Sequence, residues 1–253
     1  ARYRLVLTGT PMENRLDELA SIVDFVDDVA LEPKWRLVPW HSFSSGDGAT
    51  GVSGARNLDV LRARLAPVML RRLRTDVLGQ LPPRTDTRVP IELTDAQRAE
   101  HDDLDQPIAS LMRRAGQRPL TQPEFLKLMM LLAQQRMICN GLAQVHFDDA
   151  WPRCERASAT PGLLDSLFAP KLGAVRSLVA DLCVTQRRKV VAFSQWRRMV
   201  RLSEWAVRDV LAGAGLRAMF FTGAESPKQR ERAIVDFHDD PDVALLFLTD
   251  AGG

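Results

Sequence analysis

The residues best placed to do chemistry are polar groups that directly follow short apolar runs. Ser194-Gln195-Trp196 follows the run at 189–193, Thr222-Gly223 the run at 216–221, and Thr249-Asp250-Ala251-Gly252-Gly253 the run at 243–248. Hydroxyls, a glycine backbone and an aromatic ring at such points suit phosphate groups, because O–H and N–H groups donate to phosphate oxygens and helix N-termini favour the anion. The same residue types also make good turns and caps, so spacing alone leaves both readings open. Other catalytic signals are thin. The chain has neither a GxxxxGK[ST] phosphate loop nor a GxGxxG fingerprint. His101 beside Asp102 and Asp103 has the makings of an acid–base pair, but its charged helical surroundings read as a solvated face. Asp17-Glu18 also reads as a solvated helix face. Cys139, His146 and Cys154 match no zinc-module spacing, so no metal site is expected. Basic clusters at Arg71-Arg72-Leu73-Arg74, Arg113-Arg114, Arg187-Arg188-Lys189 and Arg197-Arg198 with Arg201 face either phosphates or solvent.

The elements that must position these groups are legible from periodicity. Residues 3–7, Tyr-Arg-Leu-Val-Leu, read as a buried strand running into Thr8-Gly9-Thr10-Pro11. Thr10 with Glu13 predicts a capping box, and Leu16, Leu19, Ile22, Val23 and Val26 predict a helix over 11–27. Residues 28–57 carry Pro33, Pro39 and a Gly/Ser-rich stretch and read as a long loop. Leu58, Leu61, Leu65 and Val68 mark a helix ended by the first basic cluster. Leu81-Pro82-Pro83-Arg84 must be extended, and Val89, Ile91 and Leu93 alternate as a short strand. Residues 94–170 are mainly helical, opened by capping boxes at Thr94/Gln97 and Thr121/Glu124. Gly116, Pro119 and Asn140-Gly141 stop these helices, and the proline-bearing stretch 141–170 reads as irregular.

From Lys171 helices and strands alternate: helix, strand 189–193, helix closed by Gly213 and Gly215, strand 216–221, helix capped by Ser226-Pro227 with Gln229, strand 243–248. That order implies a parallel sheet, whose ligands gather at the carboxyl ends of the strands. The carboxyl ends are Ser194, Thr222 and Thr249.

Composition excludes several classes. With 253 residues, 45% hydrophobic and 26% charged, the chain is neither fibrous nor disordered. It has no apolar run of membrane-spanning length and no signal peptide. Three cysteines at no repeated spacing argue against a disulfide framework and for a reducing, intracellular setting. A net charge of +2 does not announce a nucleic-acid binder, although all but five of the 34 basic residues are arginine, which suits phosphate forks. A strand close to the first residue and a glycine loop at the last suggest an excised fragment of a longer protein.

Taken together, the segments resemble the Swi/Snf-type helicase-like ATPases of helicase superfamily two. The stretch Leu7-Thr8-Gly9-Thr10-Pro11-Met12-Glu13-Asn14 is similar to their motif III. Pro67-Val68-Met69-Leu70-Arg71-Arg72, with Leu81-Pro82-Pro83-Arg84 behind it, resembles the segment joining their two lobes. Ile138-Cys139-Asn140 looks like the end of their helical insertion and Val191-Ala192-Phe193-Ser194-Gln195-Trp196 like motif IV. Thr222-Gly223 with Arg230 resembles motif IVa, and Thr249-Asp250-Ala251-Gly252-Gly253 the opening of motif V. The long glycine-rich loop and the Thr-Asp of motif V look closer to bacterial members.

The resemblance implies an α/β fold of partial RecA-like parallel-sheet lobes with a mainly helical insertion. Its divisions would be 1–30 from the first lobe, 31–93 as lobe-joining segment, 94–170 as insertion and 171–253 as the start of the second lobe. It implies an ATP-dependent translocase on double-stranded DNA that remodels nucleoprotein complexes or releases polymerase, in the bacterial cytoplasm at the nucleoid. Thr8, Gly9, Thr10 and Pro11 would couple nucleotide state to DNA contact, and Arg71 and Arg72 would brace the lobes. Ser194, Gln195, Trp196, Thr222, Gly223, Arg230 and Thr249 would face DNA. Asp250, Gly252 and Gly253 would border the nucleotide cleft. ATP and Mg2+ would serve the full-length protein. The phosphate-loop lysine, the acidic metal-binding motif and the arginine finger are absent from the chain, and phosphoryl transfer needs all three. The fragment alone is therefore expected to bind no nucleotide cofactor and to hydrolyse no ATP. The alternative is a nonhydrolysing α/β module that binds DNA or protein. A lobe without its partner strands should also expose apolar surface.

Overall fold

The computed structural model describes residues 3–12, 16–43, 54–72 and 84–250. It divides into two compact units, 1–87 and 88–253.

In the first unit, Leu16–Val26 forms α1, Leu37–His41 α2 and Leu58–Leu65 α3. Leu19, Val23, Leu31, Leu37, Leu61 and Leu65 close into one small core, as the apolar periodicity of α1 and α3 requires. Two short strands, β1 (Ser42–Phe43) and β2 (Gly54–Ala55), pair antiparallel inside the stretch expected to be loop. Two expectations fail here. Residues 3–7 form no strand, and Tyr3, Leu5 and Leu7 are exposed, because no described strand lies beside them to take their backbone hydrogen bonds. Pro11 and Met12 are not helical, and the helix is described over Leu16–Val26; Glu13 of the expected capping box lies outside the described residues. Leu73, Arg74 and the Leu81-Pro82-Pro83 stretch also lie outside them.

The second unit begins with an extended segment. The alternation of Val89, Ile91 and Leu93 does not form a strand, since no partner edge lies beside it among the described residues, and Val89 stays exposed. The helical part follows: α4 (Asp95–Asp102), α5 (Asp105–Ala115) and α6 (Gln122–Ile138). Both expected capping boxes form, at Thr94/Gln97 and Thr121/Glu124. Glu124 takes hydrogen bonds from Arg118, from the backbone and hydroxyl of Thr121 and from Arg114, which together hold its carboxyl far below the usual carboxylate range.

The stretch 141–170 is not irregular but helical, with α7 (Leu142–Val145), α8 (Phe147–Cys154) and α9 (Pro161–Ser166). Pro161 sits in the first turn of α9 and Pro170 opens the next helix, where the missing N–H costs nothing. Those prolines start helices rather than break them.

Helix α10 (Pro170–Val179) continues as a π-helical turn to Thr185. Then come β3 (Val190–Phe193), α11 (Arg197–Gly213), β4 (Arg217–Phe221), α12 (Pro227–Asp239) and β5 (Val243–Leu248). The three strands form a parallel sheet in the order β3-β5-β4, as the alternation of elements predicts. Central β5 is apolar throughout and buried from Val243 to Phe247, the pattern of a strand covered on both faces.

Helix α11 joins two cores. Val200, Val207 and Leu211 pack towards the sheet with Leu245 and Phe247, whereas Met199, Leu202, Trp205 and Ala206 pack against Phe147, Ala150 and Cys154 of α8. Each large side chain so buried stabilises the fold by about 1.5–3 kcal/mol, so this shared wall joins the helical part to the sheet. Trp205 also satisfies its indole N–H on the carbonyl of Ala157 at 2.7 Å. Apolar surface does remain open: Val191 and Phe193 of β3 and Phe125, Leu126 and Met130 of α6 are exposed.

Candidate nucleic-acid interface

Register brings the strand-end residues together. Phe193 and Phe221 both stand opposite Leu248, so Ser194, Thr249 and Thr222 emerge side by side at one edge of the sheet. The backbone N–H of Ser194 donates to Leu248 (3.1 Å), and that of Thr249 to Phe221 (3.3 Å).

The three ends differ in what they present. Thr222 is only 2% exposed and Thr249 6%. The hydroxyl and N–H of Thr222 both donate to Oε2 of Glu225, at 2.7 and 2.6 Å, and its hydroxyl oxygen accepts from the N–H of Ala224. These two threonines shape the edge from within, while Gly223 and Asp250 are exposed on it. Glu225 fixes one of the predicted residues without having been singled out itself; a Thr followed three residues later by Glu was the available signal. Gly252 and Gly253 lie outside the described residues.

At the β3 end, Ser194 accepts from the N–H of Trp196 at 3.3 Å, which tightens the turn into α11. That helix has no side-chain cap, and its first turn carries Arg197 and Arg198 instead of acids. Orphan N–H groups and two cations thus share one helix start. Arg198 lies 3.3 Å from Asp148 and 5.3 Å from the Phe147 ring, and Arg201 stacks on Trp151 at 4.1 Å. Part of this basic cluster therefore braces α8, leaving Arg197 on the exposed edge. Arg230 lies 5.8 Å from the ring of Phe221.

Sequence reasoning also missed Arg136. Its guanidinium, in the last turn of α6, donates to Oε1 of Gln195 and lies 5.2 Å from the centre of the Trp196 ring.

The other basic clusters behave differently. Lys189 donates to the carbonyls of Phe237, His238 and Asp240, closing the end of α12 at the amino end of β3, away from the predicted edge. Arg114 pairs with Glu124 at 3.2 Å. His101 is half-buried rather than on the fully solvated face expected, and lies 3.3 Å from the exposed Asp102 with Asp105 nearby. His146 faces Glu100 rather than a thiol, and burial pushes the Cys154 thiol up, so the Cys139–His146–Cys154 trio is not assembled.

In the first unit, Thr8, Gly9 and Pro11 line one cleft of about 750 Å3 together with Arg71 and Arg72. The N–H of Thr10 donates to the hydroxyl of Thr8 at 3.2 Å. The two predicted groups of this unit thus share a concave surface.

Comparison with known proteins decides the family, for the SNF2-related domain matches residues 1–142. The chain belongs to the SNF2-related family. It is 24% identical over its full length to TATA-binding protein-associated factor mot1 of Aspergillus fumigatus, covering 15% of that protein. It is 26% identical over 99% of its length to human SWI/SNF-related matrix-associated actin-dependent regulator of chromatin subfamily A member 1, covering 22% of it. Protein CHROMATIN REMODELING 4 of Arabidopsis thaliana is 30% identical over 98% of the chain and 10% of its own length. The chain thus spans under a quarter of these SNF2 relatives. The SWI2/SNF2 ATPase core domain of Sulfolobus solfataricus superposes with a TM-score of 0.47 at 20% identity, over 95% of this chain and 45% of that one. The expected bacterial kinship finds no support among these relatives.

Proposed function

We propose that the chain is the DNA-gripping portion of a longer ATP-dependent translocase that moves on double-stranded DNA and remodels nucleoprotein complexes. The observation that carries this reading is the shared edge where Ser194, Gln195, Trp196, Gly223 and Asp250 meet the uncapped, arginine-bearing start of α11. A concave or linear array of N–H groups and cations suits a phosphodiester backbone, which gives affinity without reading sequence. Thr222 and Thr249 shape that edge from within with Arg230 near Phe221, and Asp250, Gly252 and Gly253 would border the nucleotide cleft of the whole enzyme. Thr8, Gly9, Thr10 and Pro11 would couple nucleotide state to grip, with Arg71 and Arg72 bracing the RecA-like lobes. Relatives named for chromatin and for TATA-binding protein support a nucleoprotein substrate.

ATP and Mg2+ belong to the whole enzyme in this reading. The residues of this chain do not fit them unaided: the edge presents Asp250 but no phosphate-loop lysine, and no GxxxxGK[ST] occurs in the sequence. No hydrolytic step is assigned to these residues, and the chain by itself acts as a binding module. The test is titration of a fluorescent DNA duplex with the chain and with Arg197→Glu. Salt-sensitive binding that the reversal weakens several-fold is expected. No binding by the unaltered chain overturns the reading.

A further inference from the structure

Between α6 and the start of α11 lies a cleft of about 690 Å3 lined by His101, Gln135, Arg136, Asn140, Lys171 and Trp196 among others. Two of these residues are cations, and among the described residues neither Arg136 nor Lys171 has a carboxylate partner. Their contacts are neutral instead. Arg136 donates to Gln195 and faces Trp196, while Nζ of Lys171 donates to Oδ1 of Asn140 at 3.0 Å. Asn140 in turn donates to Gln144 at 3.0 Å, which fixes its oxygen towards the lysine. Lysine at this position is half-buried, and a second, smaller cavity lined by Lys171, Asn140 and Ser194 connects it to the end of β3.

Arg136 and Lys171, held by neutral amides with no carboxylate in contact with either, raise a local positive potential in the concavity, while Asp105 accepts from its Gln135 at 2.8 Å and Asp102 lies beside its His101. A planar guanidinium beside an aromatic ring is preorganised to take an oxyanion through its remaining N–H groups. We propose that this cleft continues the DNA-binding edge onto the helical insertion, with Arg136 and Lys171 each taking a phosphodiester oxygen of the duplex backbone. The inference rests on the reading of the Ser194-Gln195-Trp196 edge as DNA-facing. It gives α6 a direct part in binding and makes the helical part more than a spacer.

The test is the salt dependence of duplex binding by the full 253-residue chain. Each phosphate neutralised contributes about 0.9 to the slope of log K against log salt. Arg136→Gln and Lys171→Gln should each make the slope shallower by about 0.9, and the double variant by about twice that. Arg136→Lys, which keeps the charge but loses the fork to Gln195, should keep the slope. Matching thermal melting of the single variants and the parent guards against a folding defect. If all variants bind with the parental slope, the cleft takes no phosphate and the proposal falls while the edge reading stands. If Arg136→Lys weakens binding as much as Arg136→Gln at unchanged slope, Arg136 only positions Gln195 and the proposal again falls. If the parent binds no duplex, both readings fall together.

Discussion

The backbone N–H of Ser194 donates to the carbonyl of Leu248 at 3.1 Å, just beyond the last paired residues of β3 and β5. That bond sets two predicted functional segments, beginning at Ser194 and Thr249 and 55 residues apart in the chain, on one edge. Because side chains alternate along a strand, a register shift of one residue would send each of them to the other face. The edge therefore depends on how β5 is seated, and the cores that seat it should be felt at the site.

Gly141 leaves the backbone little room for a side chain. It adopts φ +155°, and a Cβ there would lie 2.4 Å from the Cβ and 2.9 Å from the Cα of Ala169. The N–H groups of Leu142 and Ala143, which follow it, bond to Phe168 and Leu167 at 3.1 and 3.2 Å. Gly141→Ala should cost about 2 kcal/mol or more through overpacking and strain, read as a lowered thermal midpoint. An unchanged midpoint would show that the 167–169 loop gives way freely.

Gly9 is the opposite case. A Cβ there meets nothing within 4 Å, so its own unit sets no steric need for glycine. Gly9→Ala should change stability by less than about 1 kcal/mol. In the proposed full-length ATPase the same change should reduce DNA-stimulated turnover, since the closed neighbour of Gly9 would be another lobe or ligand. Normal turnover in that variant would remove Gly9 from the coupling role.

Acid should weaken the second unit in a defined direction. Hydrogen bonds from Arg176, aided by its charge, hold the Asp209 carboxyl below the usual range, and the backbone N–H of Asp242 with Arg217 does the same for Asp240. A depressed carboxylate stabilises the fold at pH values above its unfolded pKa, and this stabilisation is lost as pH falls from about 4 through the folded pKa. Asp209→Asn should thus lower the midpoint at neutral pH, by about 0.5–1 kcal/mol for a pair this exposed, and flatten its decline in acid. Parallel declines for parent and variant would mean the pair contributes nothing there.

Lys189 joins β3 to the end of α12 by donating to three carbonyls. Lys189→Met should leave those carbonyls to water, cost about 1 kcal/mol, and speed amide exchange over 236–242. DNA affinity should not change, since Lys189 lies at the amino end of the sheet. A loss of affinity would return the 187–189 cluster to the list of phosphate contacts.

Much of the second unit was legible because its signals are local. Ser226-Pro227 with Gln229, Thr94 with Gln97 and Thr121 with Glu124 cap as their spacing predicts, and three apolar runs separated by helices gave the parallel sheet. The failures are where an element needs a partner. The alternation at 3–7 and at 89–93 is a strand pattern, but a strand forms only beside another edge, and none is described there. Prolines at 152, 161 and 170 suggested breaks, yet two open helices, and Pro152 is carried inside α8 by the packing of Phe147, Ala150 and Cys154 on α11. At the edge itself the strand-end residues could be named from sequence. Their partners could not, since Arg136 reaches Gln195 across 59 residues of chain.

The central claim is tested most directly by ATP turnover of the full-length protein that carries this chain, with and without double-stranded DNA, beside the 253-residue chain itself. Strong stimulation by DNA in the full-length protein, and no turnover by the chain alone, is the predicted result. Turnover indifferent to DNA, or hydrolysis by the isolated chain, would contradict the account.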